Sequence, residues 1–338
     1  MTIEKSNYTK LTMELANVKN RVVGIDIGVA ITNYAVVDLR GEIIAHESFS
    51  TIDYPSIENY LAVLCERVLK LVEANGGYEA IRSVGVCCPS SNYLTGCIEN
   101  APNLQWKGII PLAALMRDRL GLAVALGNNP QCVALGEQAF GSAHGMKDFV
   151  VITLGYGLGS CLFSNGRMHL GTKGFAGEVG HACVESNGRL CACGNIGCLE
   201  AYCGHKGIIR TAEELMAESQ EPSMMRQVEN LTPKMIAGFC DQGDALAIET
   251  FRRTGEILGR GLANYASITN PEAIILTGGI PHAGKWLLEP TEQSFEKHVF
   301  HNIKGQTKIL VTNLKDSERE VLGASVLAWM VKEYSLFI

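Results

Sequence analysis

Glu178-Val179-Gly180-His181, followed ten residues on by Cys191-Ala192-Cys193-Gly194-Asn195-Ile196-Gly197-Cys198-Leu199-Glu200, concentrates four metal-ligand side chains in one stretch. One imidazole nitrogen and three thiolates make a closed tetrahedral set suited to zinc, with no open position for water, so His181, Cys191, Cys193 and Cys198 predict a structural metal. Three unrelated thiols beside an unrelated histidine would not account for the C-x-C-x4-C spacing or for Gly194 and Gly197 standing as turn formers. Glu178 precedes His181 by three residues and Glu200 follows Cys198 by two. A metal there would also fix where both carboxylates point, which makes the pinned polar pocket a candidate binding site.

A chain of 338 residues exceeds what one hydrophobic core usually supports, so two lobes are expected. The formal net charge is −6 and no basic run or stripe occurs, which speaks against direct DNA binding. Most of the cysteines outside the clip, such as Cys87, Cys88 and Cys161, lie in apolar stretches and read as small core residues. A reducing cytoplasm therefore fits better than a disulfide framework. The seven histidines other than His181, among them His205 and His282, read as solvated or satisfied side chains. No apolar segment has the length of a membrane span, and residues 1–20 lack the apolar region of a secretory signal.

Residues 1–20 read as an N-terminal extension, a short helix around Leu11 to Val18 that is too small for a helix-turn-helix domain. From residue 21 the pattern becomes three short strands joined by tight turns. A helix follows, marked by Ile57, Leu61, Leu64, Val68 and Leu71 at spacings of three and four. Strand 81–88 leads through a polar loop containing Asn92, Gly96, Asn100 and Asn103 to helix 111–120 and strand 122–126. That strand ends in Gly127-Asn128-Asn129-Pro130, a polar turn opening a helix, where α/β proteins commonly place ligands. From Phe149 the plan repeats: strand, glycine turn Gly155-Tyr156-Gly157-Leu158-Gly159, strand, Asn165-Gly166 hairpin turn. Helices near 207–218, 232–242 and 245–269, strand 273–276 running into Thr277-Gly278-Gly279, helix 285–299, strand 308–314 and helix 319–331 complete the chain. This predicts an α/β fold of duplicated halves across a central cleft: residues 21–126 with about 315–338 as the first lobe, 127–314 as the second, with the clip at 178–200.

Glycine turns follow strands at Gly28, at Gly155-Gly157-Gly159 and at Gly278-Gly279, and such turns let backbone N–H groups approach a phosphate. With the clip they complete a pattern that resembles the ROK family of sugar kinases and sugar-responsive repressors, of the actin-like ATPase (ribonuclease H-like) superfamily. The match is carried by Asp26-Ile27-Gly28 with Asp38 and Gly41, Ala101-Pro102-Asn103-Leu104, Asn128 with Ala134, Leu135 and Glu137, Ala176 to His181, the cysteine run to Glu200, and Asn270-Pro271-Glu272 leading to Gly278-Gly279. The resemblance implies that Asn103, Asn128, the residue at 129, Glu178, His181 and Glu200 hold sugar hydroxyls. It further implies that Asp26, Gly28, Gly155, Gly157, Gly278 and Gly279 serve ATP and Mg²⁺, and that the protein is a homo-oligomer, a dimer or tetramer.

Departures from the family lie on the phosphate side. The family's Asp base stands here as Asn129, an amide without useful basicity. The usual Gly-Gly-Thr reads Gly28-Val29-Ala30, the small Thr of the second turn is Tyr156, and the usual Pro-Gly is Pro89-Ser90. The sequence therefore predicts a protein that binds a hexose or N-acylhexosamine with impaired or lost phosphotransfer, a pseudokinase. The alternatives are an active ATP-dependent hexose or N-acylhexosamine kinase and, more weakly, a transcriptional regulator acting through a partner.

Overall fold

The structure is a computed structural model that describes residues 19–331, so the helix expected within residues 1–20 lies outside the described residues. Its described residues form two compact units, one up to Phe140 and again from Ser317, the other Gly141–Asp316. The first unit thus extends past the expected change at 127. Helix 129–140 belongs with it because the C-terminal helix packs on it.

In the first unit a five-stranded sheet has the order β3-β2-β1-β4-β8, with β1 Arg21–Ile27, β2 Ile31–Asp38, β3 Ile43–Ser50, β4 Ile81–Cys87 and β8 Ala123–Gly127. β1 to β3 are antiparallel, while β4 and β8 run parallel to β1. Alternation along β1 sends Val23, Ile25 and Ile27 into one core with Tyr60, Leu61, Leu64 and Val68 of α1 (Ile57–Ala74) and Met116 of α2 (Leu112–Leu120). The opposite face carries Gly24 and Asp26 beside Gly85 and Cys87 of β4. There α9 (Arg319–Met330) lies against backbone: a Cβ on Gly85 would sit 1.8 Å from the Ala324 carbonyl oxygen, and Ser83 Oγ donates to the Ala328 carbonyl at 2.8 Å. α9 packs in turn on α3 (Asn129–Phe140), where a Cβ on Gly323 would meet the Cys132 carbonyl oxygen at 1.8 Å. The polar loop expected after β4 is instead partly ordered as a small antiparallel sheet of β5 Ser91–Asn92, β6 Cys97–Glu99 and β7 Ile109–Ile110. Strands this short carry no alternation pattern by which a sequence could announce them.

The second unit repeats the plan with the order β11-β10-β9-β12-β13, formed by β9 Phe149–Leu154, β10 Leu158–Ser164, β11 Arg167–Met168, β12 Ala273–Thr277 and β13 Lys308–Val311. Again three strands are antiparallel and two run parallel to the first, so the duplication expected from the repeated strand, glycine turn and strand is present. Its core gathers Val150, Ile152, Ile274 and Leu276 with side chains of α5 (His205–Glu218), α6 (Pro233–Asp241), α7 (Ala245–Thr269) and α8 (Lys285–His298), α5 being preceded by the single turn α4 (Glu200–Cys203). α7 begins where Asp244 Oδ1 accepts the Leu246 and Ala247 amides, both at 3.1 Å, and ends at Asn270 with φ 44°. Among the described residues no helix is long and apolar enough to cross a membrane.

The close approach of α9 makes a direct prediction. Gly85→Ala pushes a methyl into a carbonyl that cannot yield and should cost about 3 kcal/mol, the upper end of overpacking. Gly238→Ala, in α6 with nothing near its Cβ position, should instead stabilise by up to about 1 kcal/mol. Urea unfolding of both variants decides; equal effects would contradict the packing.

Candidate functional site

The clip is built by backbone before it is built by ligands. The Cys191 amide donates to Asn195 O at 2.8 Å and the Gly194 amide to Cys191 O at 3.0 Å, closing a tight knuckle, while single bridged pairs join Cys183 to Cys198 and Leu190 to Ile196. Gly197 has φ +78°, and a Cβ there would fall 1.8 Å from the Glu185 carbonyl oxygen, so only glycine brings the last cysteine home. The ligand atoms of His181, Cys191, Cys193 and Cys198 then lie within 4.8 Å of one another, with Cys193 and Cys198 Sγ 3.7 Å apart and Cys191 Sγ 3.8 Å from His181 Nδ1. Bonds of about 2.3 Å around a tetrahedral zinc span edges of about 3.8 Å, so the donor set fits that ion. Burial pushes the Cys191 and Cys198 thiols up, the latter to about 12, while the Asn195 amide pulls Cys193 down. A cation between them would favour the thiolates that burial opposes.

Glu200, the first residue of α4, joins the clip to the second glycine turn. Its Oε2 accepts the Leu158 amide at 2.8 Å, and its Oε1 lies 3.9 Å from Cys191 Sγ. Glu178 keeps an exposed side chain. Loss of bulk water around its carboxyl raises its pKa, His181 pulls it down, and the Glu200 charge pushes it up. Within the turn the Gly155 amide donates to Gly157 O, and the His205 amide donates to Gly155 O, each at 3.0 Å. Tyr156 is 88% exposed and its ring stacks on His205, centroids 5.1 Å apart and planes at 27°. At the third turn Gly278 has φ +100°, and a Cβ would meet Leu154 O at 2.1 Å, so strand packing alone demands glycine there; nothing crowds Gly279. Thr153 and Thr277 pair across β9 and β12 beneath these turns, and both hydroxyls are buried without a hydrogen-bond partner. Glu178, His181, Glu200 and the Gly155 to Gly159 turn are thus gathered by one unit.

On the first unit, Asp26, Cys87 and Gly127 stand in one row across β1, β4 and β8, and Asn128 and Asn129 leave the sheet at that same edge. Asp26 Oδ1 is buried without a partner and Oδ2 accepts Asn33 Nδ2 at 3.4 Å; burial, with Glu320 adding, raises its carboxyl to about 7. The Gly28 amide is taken by Ile31 O at 3.0 Å, with Val29 half exposed at the tip of the turn. Asn128 caps α3: its Oδ1 accepts the Gln131 amide at 3.0 Å, and its own amide donates to Gln131 Oε1 at 3.2 Å. Its side-chain oxygen is therefore engaged in the cap. Asn129 is the first residue of α3, and Asn103 is exposed in the loop before β7. Sequence reasoning missed Gln131, which the Asn-x-x-Gln capping spacing could have signalled, and the Tyr156–His205 stack, which joins residues 49 positions apart in sequence and left no local signal.

Residues 22–331 match the ROK family. The chain belongs to the ROK family. Its two five-stranded sheets are those of the actin-like ATPase fold shared by solved ROK structures. A ROK family glucokinase from Streptomyces griseus, solved in complex with glucose and AMPPNP, superposes with a TM-score of 0.75 at 29% identity, covering 92% of this chain and 100% of that one. A glucokinase of Halalkalibacterium halodurans is 29% identical over 92% of this chain and 94% of its own length. A xylose repressor of Caldicellulosiruptor bescii is 28% identical over 87% of this chain and 75% of its own. The ROK chain thus has both sugar kinases and repressors among its relatives.

The Asp26 environment sets a pH dependence. Between about pH 4 and pH 7 the unfolded chain ionises Asp26 while the folded chain holds its proton, so this residue's contribution to stability falls as pH rises through that window. Asp26→Asn should therefore raise the unfolding free energy at pH 8 by on the order of 2–4 kcal/mol and leave it little changed at pH 4. Equal gains at both pH values would refute the buried-anion account.

Proposed function

We propose that this ROK protein binds a hexose or N-acylhexosamine through Glu178, His181 and Glu200, with Asn103, Asn128 and Asn129 as the first unit's hydroxyl ligands, and that its phosphotransfer is lost or severely impaired. The observation that carries this reading is Asn129 at the start of α3, in the position of the family's base. A carboxylate there would be held ionised by the helix terminus and could accept the sugar proton. The amide can orient a hydroxyl but cannot take its proton, and a general base contributes a rate factor of about 10² to 10⁴. Val29, Ala30 and Tyr156 replace the small or hydroxyl-bearing residues that would position a γ-phosphate, and positioning with electrostatics supplies most of phosphoryl transfer.

Asp26 favours a second reading, an active ATP-dependent hexose kinase: its buried, unpartnered Oδ1 suits a magnesium ion that would stabilise phosphate charge. A regulator acting through a partner is the third, supported by the repressor relatives. An ATP-coupled assay across hexoses and N-acylhexosamines, run beside sugar calorimetry, separates them. Sugar binding without turnover is expected, and Asn129→Asp alone should restore little unless Val29→Gly, Ala30→Thr and Tyr156→Thr accompany it. Turnover at an ordinary kinase rate would establish the second reading. Glu178→Ala should weaken sugar binding by about 1.5–3 kcal/mol, the range for hydrogen bonds to a charged group.

The same proposal places one structural zinc on His181, Cys191, Cys193 and Cys198. Purified protein should contain one zinc per chain, and Cys193→Ser should lower both metal content and melting temperature, because a metal bound only by the folded chain adds its binding energy to stability. Unchanged stability in that variant would remove the metal from the argument.

A further inference from the structure

An aromatic ring that is 88% exposed contributes almost nothing to a core, yet Tyr156 is held in place. His205 stacks on its ring at 5.1 Å, the His205 amide ties down Gly155 O at 3.0 Å, and Glu200 holds the Leu158 amide at 2.8 Å on the other side. The result is a fixed aromatic surface with one face backed by imidazole and the other open. It stands two residues from an amide that carries a carboxylate. This turn is ill suited to a polyanion: the Leu158 N–H is occupied by Glu200, the Gly155 N–H by Gly157 O, and Glu178 interacts unfavourably with the Glu200 charge. It suits a neutral polyol. Pyranose rings offer hydroxyl edges, which pair with carboxylates, and an apolar C–H face, which packs on an aromatic ring whose π-face is negative.

We propose that Tyr156, backed by His205, is the floor of a second saccharide subsite, so that the ligand is a disaccharide or larger saccharide with one ring on Glu178 and Glu200 and the next on the Tyr156 face. This rests on the sugar-binding reading above and extends it from a single hexose to a linked pair. Tyr156 sets the ligand's size class, and the place of the small phosphate-turn residue in ROK kinases is given to carbohydrate.

Calorimetry tests it with glucose and N-acetylglucosamine against maltose, cellobiose, sucrose and N,N′-diacetylchitobiose, on native protein and on Tyr156→Ala, Tyr156→Phe and His205→Ala. At least one disaccharide should bind 10-fold or more tighter than its monosaccharide. That ratio should fall to about one in Tyr156→Ala, persist in Tyr156→Phe, which keeps the ring, and drop partway in His205→Ala. Circular dichroism confirms that each variant is folded. Monosaccharide binding with no disaccharide preference, or a preference that survives Tyr156→Ala, overturns the second subsite while leaving the sugar site standing. No binding of any sugar overturns both.

Discussion

The hydrogen bond from the Leu158 amide to Glu200 is the constraint on which the second unit's site depends. Glu200 follows the last cysteine of the clip by two residues, so its position is inherited from the knuckle. Through that bond the knuckle dictates where the glycine turn lies. A hydrogen bond to an ionised acceptor is stronger than a neutral one, and it holds the turn's backbone without a side chain filling the space above it. The Gly197 φ of +78° belongs to the same chain of causes: without it Cys198 would not reach the other ligands, and Glu200 would not reach the turn.

Both units place unmet polar atoms at the same edge of their sheets. Asp26 Oδ1 lies at the end of β1, and the Thr153 and Thr277 hydroxyls lie at the ends of β9 and β12. Buried polar atoms without partners are uncommon in folded proteins, and the carboxyl ends of parallel strands are where open α/β sheets receive ligands. The duplication therefore extends from strand order to the location of chemistry. The two copies differ in what they offer: an acid with its proton held near neutrality on the first unit, and carboxylates beside the His181–cysteine cluster on the second.

Kinase and repressor relatives stand at similar distances from this chain, so family membership alone does not choose between catalysis and sensing. The cap of α3 is made by Asn128 and Gln131, so it does not depend on the side chain at 129. The backbone bonds of the second turn run among Gly155, Gly157 and His205 and likewise do not involve the Tyr156 side chain, which stacks on His205. The groups that hold these caps and turns are thereby distinct from the side chains they expose, as expected of loops and helix ends on a rigid scaffold.

By itself the sequence determined the strands and helices with strong periodicity, the duplicated plan, the convergence of His181, Cys191, Cys193 and Cys198 and the family, because each is written in local spacing: alternation, recurrence at three and four, C-x-C-x4-C, glycine after a strand. Tertiary structure alone decided the rest. It folded the loop around Asn92 and Asn103 into a small sheet, moved the first unit's limit to Phe140, and assigned Gly278 to strand packing. It occupied the Asn128 side-chain oxygen with a helix cap and set Tyr156 on His205. The physical reason is common to all of these. Each depends on which atoms meet across tens of residues of chain, and a contact between distant segments leaves no periodicity in either one.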